Sequence, residues 1–334
     1  MRKKIAIITG IAGQDGSFLA ELLLKKNYEV HGIIKKDNNL WRINHILKKI
    51  KIHYVPIQNY VAMLNLLKKI KPNEIYHLAG KSLVHYTTLK NKKITNIDFS
   101  PTNEFLTMNT NIAGTHNILA AIKSSNIKSK FYFSGSSEMF GHSKTLIQDE
   151  NTNFNPRSTY GISKVAGYNL SKYYRDSHAL HASTGIMYNH ESERRGEEFV
   201  TRKISISAAK IKLGLQKFIE LGNIDAKRDW GYAPEYVQAM WMMLQAKNPD
   251  DYVIGTGKLH TVQDFIKIAF LSLDLNYEKY LKINKKLIRP KELFILKSNS
   301  KKILKKLNWK AKTDFKSLVS KMVVTDYNLL KSRH

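Results

Sequence analysis

Residues 9–16 read Thr9-Gly10-Ile11-Ala12-Gly13-Gln14-Asp15-Gly16, and their flanks give them meaning. Before them runs KIAIIT (residues 4–9), a short β-branched stretch of the kind that forms a buried strand. After them Phe18, Leu19, Leu22, Leu23 and Leu24 recur at helical spacing. The order is strand, tight turn, helix. In such a turn Gly10 permits the reversal, Gly13 lets backbone N–H groups approach a pyrophosphate, and Gly16 allows close helix packing. Three glycines alone carry little information; this context makes them a dinucleotide-binding turn.

Moving outward, further strand runs are expected at Glu29–Ile34, Ile52–Val55, Glu74–Leu78, Lys130–Ser134 and Ala182–Tyr188, with helix-like segments between them. Alternating β and α units predict an α/β fold, a Rossmann-type doubly wound parallel sheet. The pattern loosens after about residue 185. We therefore expect a dinucleotide-binding domain over 1–185 and a smaller mixed α/β substrate-binding lobe over 186–334, interleaved and packed together.

The chain carries 55 Lys+Arg against 27 Asp+Glu, a net charge of +28 that favours anionic partners. Much of this charge lies in surface-type lysine runs such as KKNKK and KKILKK. No arginine-rich arm, zinc-finger spacing or aromatic RNA-binding signature accompanies it, so nucleic acid is not an expected partner. There is no cysteine, which leaves catalysis to oxygen and nitrogen groups, and no metal site is expected. No apolar run is long enough to span a bilayer, and the expected location is the cytoplasm.

At the end of the second strand an NAD-specific fold places an acidic residue, but here stand Lys35 and Lys36, with Arg42 following. Cations at that point suit a 2′-phosphate, and the expected cofactor is NADP. Tyr160 and Lys164 lie at i and i+4, on one helix face. A neighbouring ammonium favours phenolate, so Tyr160 is expected to exchange a hydroxyl proton near neutral pH. The strand at 130–134 runs into Gly135-Ser136-Ser137-Glu138, which delivers hydroxyls and a carboxylate to the sheet edge where such folds bind ligands.

Together these residues resemble the extended short-chain dehydrogenase/reductase family, with its TGxxGxxG and YxxxK signatures, and within it the GDP-mannose 4,6-dehydratases. The likeness runs through TGIAGQDGSFLAELL, EIYHLAG, SGSSEMFG, PRSTYGISK, NHESERRGEEFVTRKI, LGNIDAKRDWGYAPEYVQAMWMMLQ and RPKE. The resemblance implies catalysis by Ser136, Glu138, Tyr160 and Lys164. Tyr160 would take the C4 hydroxyl proton as hydride leaves C4, and Glu138 would remove the C5 proton and help expel the C6 hydroxyl. It places Gly10, Gly13, Gln14, Asp15, Gly16, Leu78, Ala79 and Ser82 at the cofactor, with Lys36 and Arg42 on its phosphate and His190 and Arg195 on the same side. Tyr160 and Lys164 belong to that set too. Ser137, Asn189, Thr201, Lys203, Arg228, Arg289 and Glu292 would face the GDP-sugar. A homo-oligomer, dimer or tetramer, is implied as well.

The chain departs from that pattern in four places. Ser136 replaces the usual threonine, and Tyr54-Val55-Pro56-Ile57 lacks the Asp-Leu pair that holds adenine. Gly80-Lys81-Ser82-Leu83 replaces Ala-Gln-Ser-His, and Lys90–Phe105 is longer than the family's connection. Loops of that length tend to be functional; this one is expected at the rim of the cofactor site. Three functions stay open: dehydration of GDP-mannose, dehydration or epimerisation of another nucleotide sugar such as GDP-N-acetylglucosamine, and a catalytically silent binding protein.

Overall fold

The computed structural model describes residues 3–81, 101–288 and 295–333. Seven strands form one parallel sheet: β1 (Ile5–Thr9), β2 (Glu29–Ile33), β3 (Lys51–His53), β4 (Glu74–His77), β5 (Lys130–Ser136), β6 (Ala182–Met187) and β7 (Tyr252–Ile254). Their order across the sheet is β7-β6-β5-β4-β1-β2-β3. The chain winds outward from β1 through β2 and β3, then crosses back to β4. A crevice therefore opens at the carboxyl ends of β1 and β4, the switch point where doubly wound sheets take ligands.

Both faces of the sheet are covered, as a parallel sheet requires. Strand alternation sends Ile8 to one face and Ile7 to the other. Ile8 packs in a core with Leu19 and Leu23 of α1 (Gln14–Lys25). Ile7 packs in another with Met63 of α2 (Tyr60–Ile70). Helices α3 (Pro101–Met108), α4 (Gly114–Ser125) and α5 (Thr159–His178) follow. Ile118 of α4 and Tyr174 of α5 join the Ile7 core.

β7 was not foreseen. It arises from the second half of the chain, pairs parallel with β6 in the register Val253↔Ile186, and extends the sheet beyond residue 185. The remaining helices are α6 (Val200–Lys212), α7 (Ala233–Gln245), α8 (Val262–Leu271), α9 (Lys301–Leu307) and α10 (Phe315–Lys331). Of these, α7 lies on the sheet, where Met240 and Met243 pack with the Ile8 core. A separate core joins Ile204 of α6, Phe265 of α8 and Met322 of α10. Within it Arg202 and Ser205 of α6 donate to the buried carboxylate of Asp326 on α10. Removing one partner of such a buried pair typically costs about 3–5 kcal/mol, because the other is left charged and unpaired.

Candidate active site

The glycine-rich turn closes at the carboxyl end of β1. Gly10 is left-handed (φ 73°), and a Cβ on Gly16 would sit 2.3 Å from the Gly10 carbonyl oxygen. Gly13 caps α1 without a side-chain hydrogen bond, so no side chain of the cap residue satisfies the first N–H groups of the helix. Gly13 is exposed while Gly16 is buried, an arrangement that suits a pyrophosphate laid on the helix N-terminus. Leu78 and Ala79 lie against this turn, and their N–H groups donate to Thr9 Oγ1 at 3.2 and 3.1 Å.

Several polar contacts fasten the turn to the segment that follows β6. Gln14 Nε2 donates to the His190 carbonyl at 3.1 Å, and Ser192 Oγ donates to Gln14 Oε1 at 2.8 Å. Asp15 Oδ2 is 2.8 Å from His190 Nε2, and the other ring nitrogen is 2.7 Å from the Tyr188 carbonyl. Burial opposes charge on both residues. For His190 the Asp15 carboxylate outweighs burial and raises the imidazole above its usual range, while His190 holds Asp15 below the usual carboxylate range. With a carbonyl on one ring nitrogen and a carboxylate on the other, imidazolium is the form that satisfies both. Arg195 stands beside them, with its guanidinium over the Phe199 ring and Nε 3.2 Å from Glu191 Oε2.

On the other side of the crevice β5 ends at Ser136, and a single turn of 3-10 helix (Ser137–Met139) carries Glu138. Ser158 caps α5 by accepting from Gly161 N at 3.0 Å, and the first two turns of α5 present Tyr160 and Lys164. Residue 161 has to be glycine, because a Cβ there would lie 2.7 Å from the Glu138 carbonyl. That close approach brings the tyrosine turn against the Ser136–Glu138 turn. Ser136, Glu138, Tyr160 and Lys164 thus meet at one edge of the sheet.

The expectation of a readily ionised Tyr160 does not hold for the chain by itself. Burial pushes its hydroxyl up to about 12; a hydrogen bond with Ser136 opposes the rise and the Glu138 carboxylate adds to it. Lys164 does not offset this, since Nζ donates to the Ser134 carbonyl at 2.7 Å. Burial brings Lys164 itself down to about 8. Desolvation wins because both groups lie in a crevice walled by β5 and α5.

The other residues singled out in the sequence fall into distinct places. Lys36 is exposed just after β2. Arg42 is half-buried over the Trp41 ring and donates to the Arg194 carbonyl at 2.8 Å. Burial lowers its pKa, as do Arg202, Arg194 and Arg195 nearby, while Glu198 raises it. Asn189 lies on a short strand (Asn189–Glu191) paired in parallel with Trp230–Tyr232, so Arg228 comes close behind the paired region. Thr201 is buried and its hydroxyl donates to Glu191 at 2.6 Å, so it holds the carboxylate that holds Arg195. Lys203 reaches the Glu220 carbonyl at 2.7 Å, and Ser137 is buried. Ser82, Arg289 and Glu292 lie outside the described residues, as does 90–100 of the Lys90–Phe105 segment; its last residues, 101–105, open α3.

Two residues that order segments around the site were not legible beforehand. Asn111 sits in a π-helical turn (Asn109–Ala113) and reaches Ser163 Oγ at 2.9 Å. Asp229, next to Arg228, accepts from Thr256 N and Gly257 N at 2.9 Å each and from Ser298 Oγ at 2.6 Å. No spacing signal marks either one, since both act on partners distant in sequence.

A family model described as GDP-mannose 4,6 dehydratase matches residues 7–322. The chain is 42% identical to GDP-mannose 4,6 dehydratase 1 of Arabidopsis thaliana, over 98% of this chain and 91% of that one. The chain belongs to the GDP-mannose 4,6-dehydratase family. It is accordingly an enzyme of the 4,6-dehydratase type. The fold agrees with those of two solved structures. A dTDP-glucose 4,6-dehydratase of Streptomyces venezuelae with NAD and TYD bound superposes with TM-score 0.82 at 18% identity, covering 98% of each chain. RMD from Pseudomonas aeruginosa complexed with NADPH gives 0.79 at 17% identity, covering 98% of this chain and 100% of that one. The family works with a nicotinamide cofactor, and the glycine turn, uncapped helix and adjoining arginines of this dehydratase suit one. No helix among its described residues is long and apolar enough to cross a membrane.

Proposed function

We propose that this enzyme converts GDP-mannose to GDP-4-keto-6-deoxymannose, with Ser136, Glu138, Tyr160 and Lys164 as its catalytic residues. The observation that carries the reading is the meeting of these four at one sheet edge, across the crevice from the glycine-rich turn. When bound, the nicotinamide holds a hydride between its departure from C4 and its return to C6. Tyr160 takes the C4 hydroxyl proton, with Ser136 orienting that oxygen and Lys164 supplying positive charge to the phenolate. The C4 ketone acidifies C5–H. Glu138 then removes the C5 proton and protonates the departing C6 oxygen, which leaves as water. Asn189, Lys203 and Arg228, with Ser137, Arg289 and Glu292, are proposed to bind the GDP-sugar. Thr201 enters this set through Glu191. In this reading residues 1–185 hold the cofactor, with His190 and Arg195 on the same side, and 186–334, interleaved with the first part, supply the sugar-binding lobe.

The test is incubation of the purified protein with GDP-, UDP-, CDP- and dTDP-linked hexoses, read as product lighter by one water. The expected substrate is GDP-mannose. Dehydration confined to another nucleotide sugar, GDP-N-acetylglucosamine included, contradicts the assignment.

For the cofactor we propose NADP, supported by Lys36 just after β2 and by Arg42 among further arginines. Cofactor extracted from the protein should be NADP, and Lys36→Ala with Arg42→Ala should weaken NADP by about tenfold or more while NAD changes little, because only NADP leaves a phosphate unpaired. Equal affinities for the two in the starting protein refute it. We also propose a homo-oligomer, dimer or tetramer; Phe105 and Leu106 of α3 and Ile162 and Tyr173 of α5 leave apolar surface exposed along neighbouring helices.

A further inference from the structure

His77, the last residue of β4, is buried and belongs to none of the sets above. Its Nδ1 lies 2.8 Å from Thr9 Oγ1 and its Nε2 lies 3.0 Å from Thr115 Oγ1 on α4. The direction of each hydrogen bond follows from the partners. Thr9 Oγ1 already accepts from Leu78 N and Ala79 N, which occupies both lone pairs, so its own proton goes to Nδ1. Thr115 gives its hydroxyl proton to the Asn111 carbonyl at 2.6 Å, so it accepts from His77, and the ring proton is on Nε2.

The chain of hydrogen bonds then continues to the catalytic helix. The Asn111 side chain is held on both sides by Lys81, accepting from its N–H at 2.9 Å and donating to its carbonyl at 3.2 Å. It also donates to Ser163 Oγ at 2.9 Å, and Ser163 Oγ donates to the Tyr160 carbonyl at 2.7 Å. Thr9, His77, Thr115, Asn111 and Ser163 are all buried. Burial, with a smaller contribution from Lys164, the charged group facing it from α5, brings His77 down to about 3; its other close neighbours are the rings of Phe131 and Phe133. Charging the ring would require the saturated Thr9 hydroxyl to accept a third proton.

We propose that His77 is a positioning residue, fixed as the neutral Nε2–H tautomer, that carries the placement of the glycine-rich turn across to the helix turn bearing Tyr160. Hydride transfer needs both parts in register, because the turn holds the cofactor and α5 holds the proton acceptor, and these elements come from separate stretches of the chain. The inference rests on the reading of Tyr160 as that acceptor.

Two measurements on the full chain with its cofactor test it. In protein labelled with 15N-histidine, His77 should show an Nε2–H tautomer unchanged between about pH 5 and 8, the window where an ordinary histidine titrates. A proton on Nδ1, or titration in that window, overturns the proposal without any variant. In the second, Thr115→Val removes the acceptor at constant shape and Thr115→Ser keeps it. The valine variant should lose about tenfold in kcat, as a small misplacement of a reacting group does, with KM for GDP-mannose within about twofold. Its kcat should also need higher pH to rise, since a Tyr160 displaced from the Ser136 hydrogen bond that opposes its raised pKa ionises later, and Thr115→Ser should restore all three. Tyr160→Phe, measured alongside, separates the failures. If it turns over normally, the reading of Tyr160 is wrong and the inference falls with it. If it is inactive while Thr115→Val keeps the starting kcat and pH profile, His77 positions nothing.

Discussion

Replacing Tyr160 with phenylalanine should leave a folded protein that retains its cofactor and has lost hydride transfer, with kcat lower by about a thousandfold. The substitution removes one oxygen from a half-buried ring, and the helix cap at Ser158 and the packing of Gly161 on Glu138 do not depend on it. The C4 hydroxyl would then have no base to take its proton as hydride leaves. Rapid mixing with GDP-mannose should give no reduced nicotinamide in this variant. The pH dependence of the starting enzyme follows from the same group. With the Tyr160 hydroxyl held near 12 in the chain alone, the phenol is protonated at neutral pH, so kcat should climb as pH rises toward the value that Tyr160 takes in the loaded enzyme.

Glu138→Gln should fail at a later stage. Oxidation at C4 does not need the carboxylate, so reduced nicotinamide should appear on mixing and persist. Loss of water requires a base at C5 and an acid at the C6 oxygen, and an amide is neither; turnover should fall by about a thousandfold with the intermediate held on the enzyme. Stopped-flow absorbance of the reduced cofactor, followed by mass analysis of the quenched sugar, distinguishes the two variants. A Glu138→Gln protein that releases dehydrated product at the starting rate removes Glu138 from the mechanism.

Much of the fold could be read in advance because β-branched runs flanked by turn residues mark buried parallel strands wherever they are long enough. The runs at 29–34, 74–78, 130–134 and 182–188 became β2, β4, β5 and β6 with boundaries shifted by only one or two residues. β3 came at Lys51–His53, where Ile52–Val55 was expected, because Pro56 lacks an N–H and the chain turns away before it, leaving Tyr54 exposed. β7 has three residues and polar neighbours, so no window of sequence singles it out; it exists because β6 offers an edge to pair with.

The site divides in the same way. Residues adjacent in sequence or one helical turn apart, such as Gly10 with Gly16 and Tyr160 with Lys164, were legible as pairs. What the spacing could not convey was direction and burial. Lys164 turns its ammonium to the Ser134 carbonyl, and desolvation then dominates Tyr160, so proximity along the helix did not translate into an ionised phenol. Thr201 lies within a stretch highly specific to the family, yet its hydroxyl faces Glu191. His77 was visible in EIYHLAG, but its partners Thr9 and Thr115 lie on other elements and only the sheet brings them to it.

In the proposed reaction one hydride leaves C4 and returns to C6 of the same sugar. GDP-mannose carrying deuterium at C4 should therefore be incubated with the purified enzyme and its own bound cofactor in ordinary water. The expected product is a 4-keto sugar lighter by one water that carries the deuterium at C6, with no net change in cofactor. A product whose C6 hydrogen comes from solvent, deuterium left on free cofactor, or no loss of water at all would contradict it.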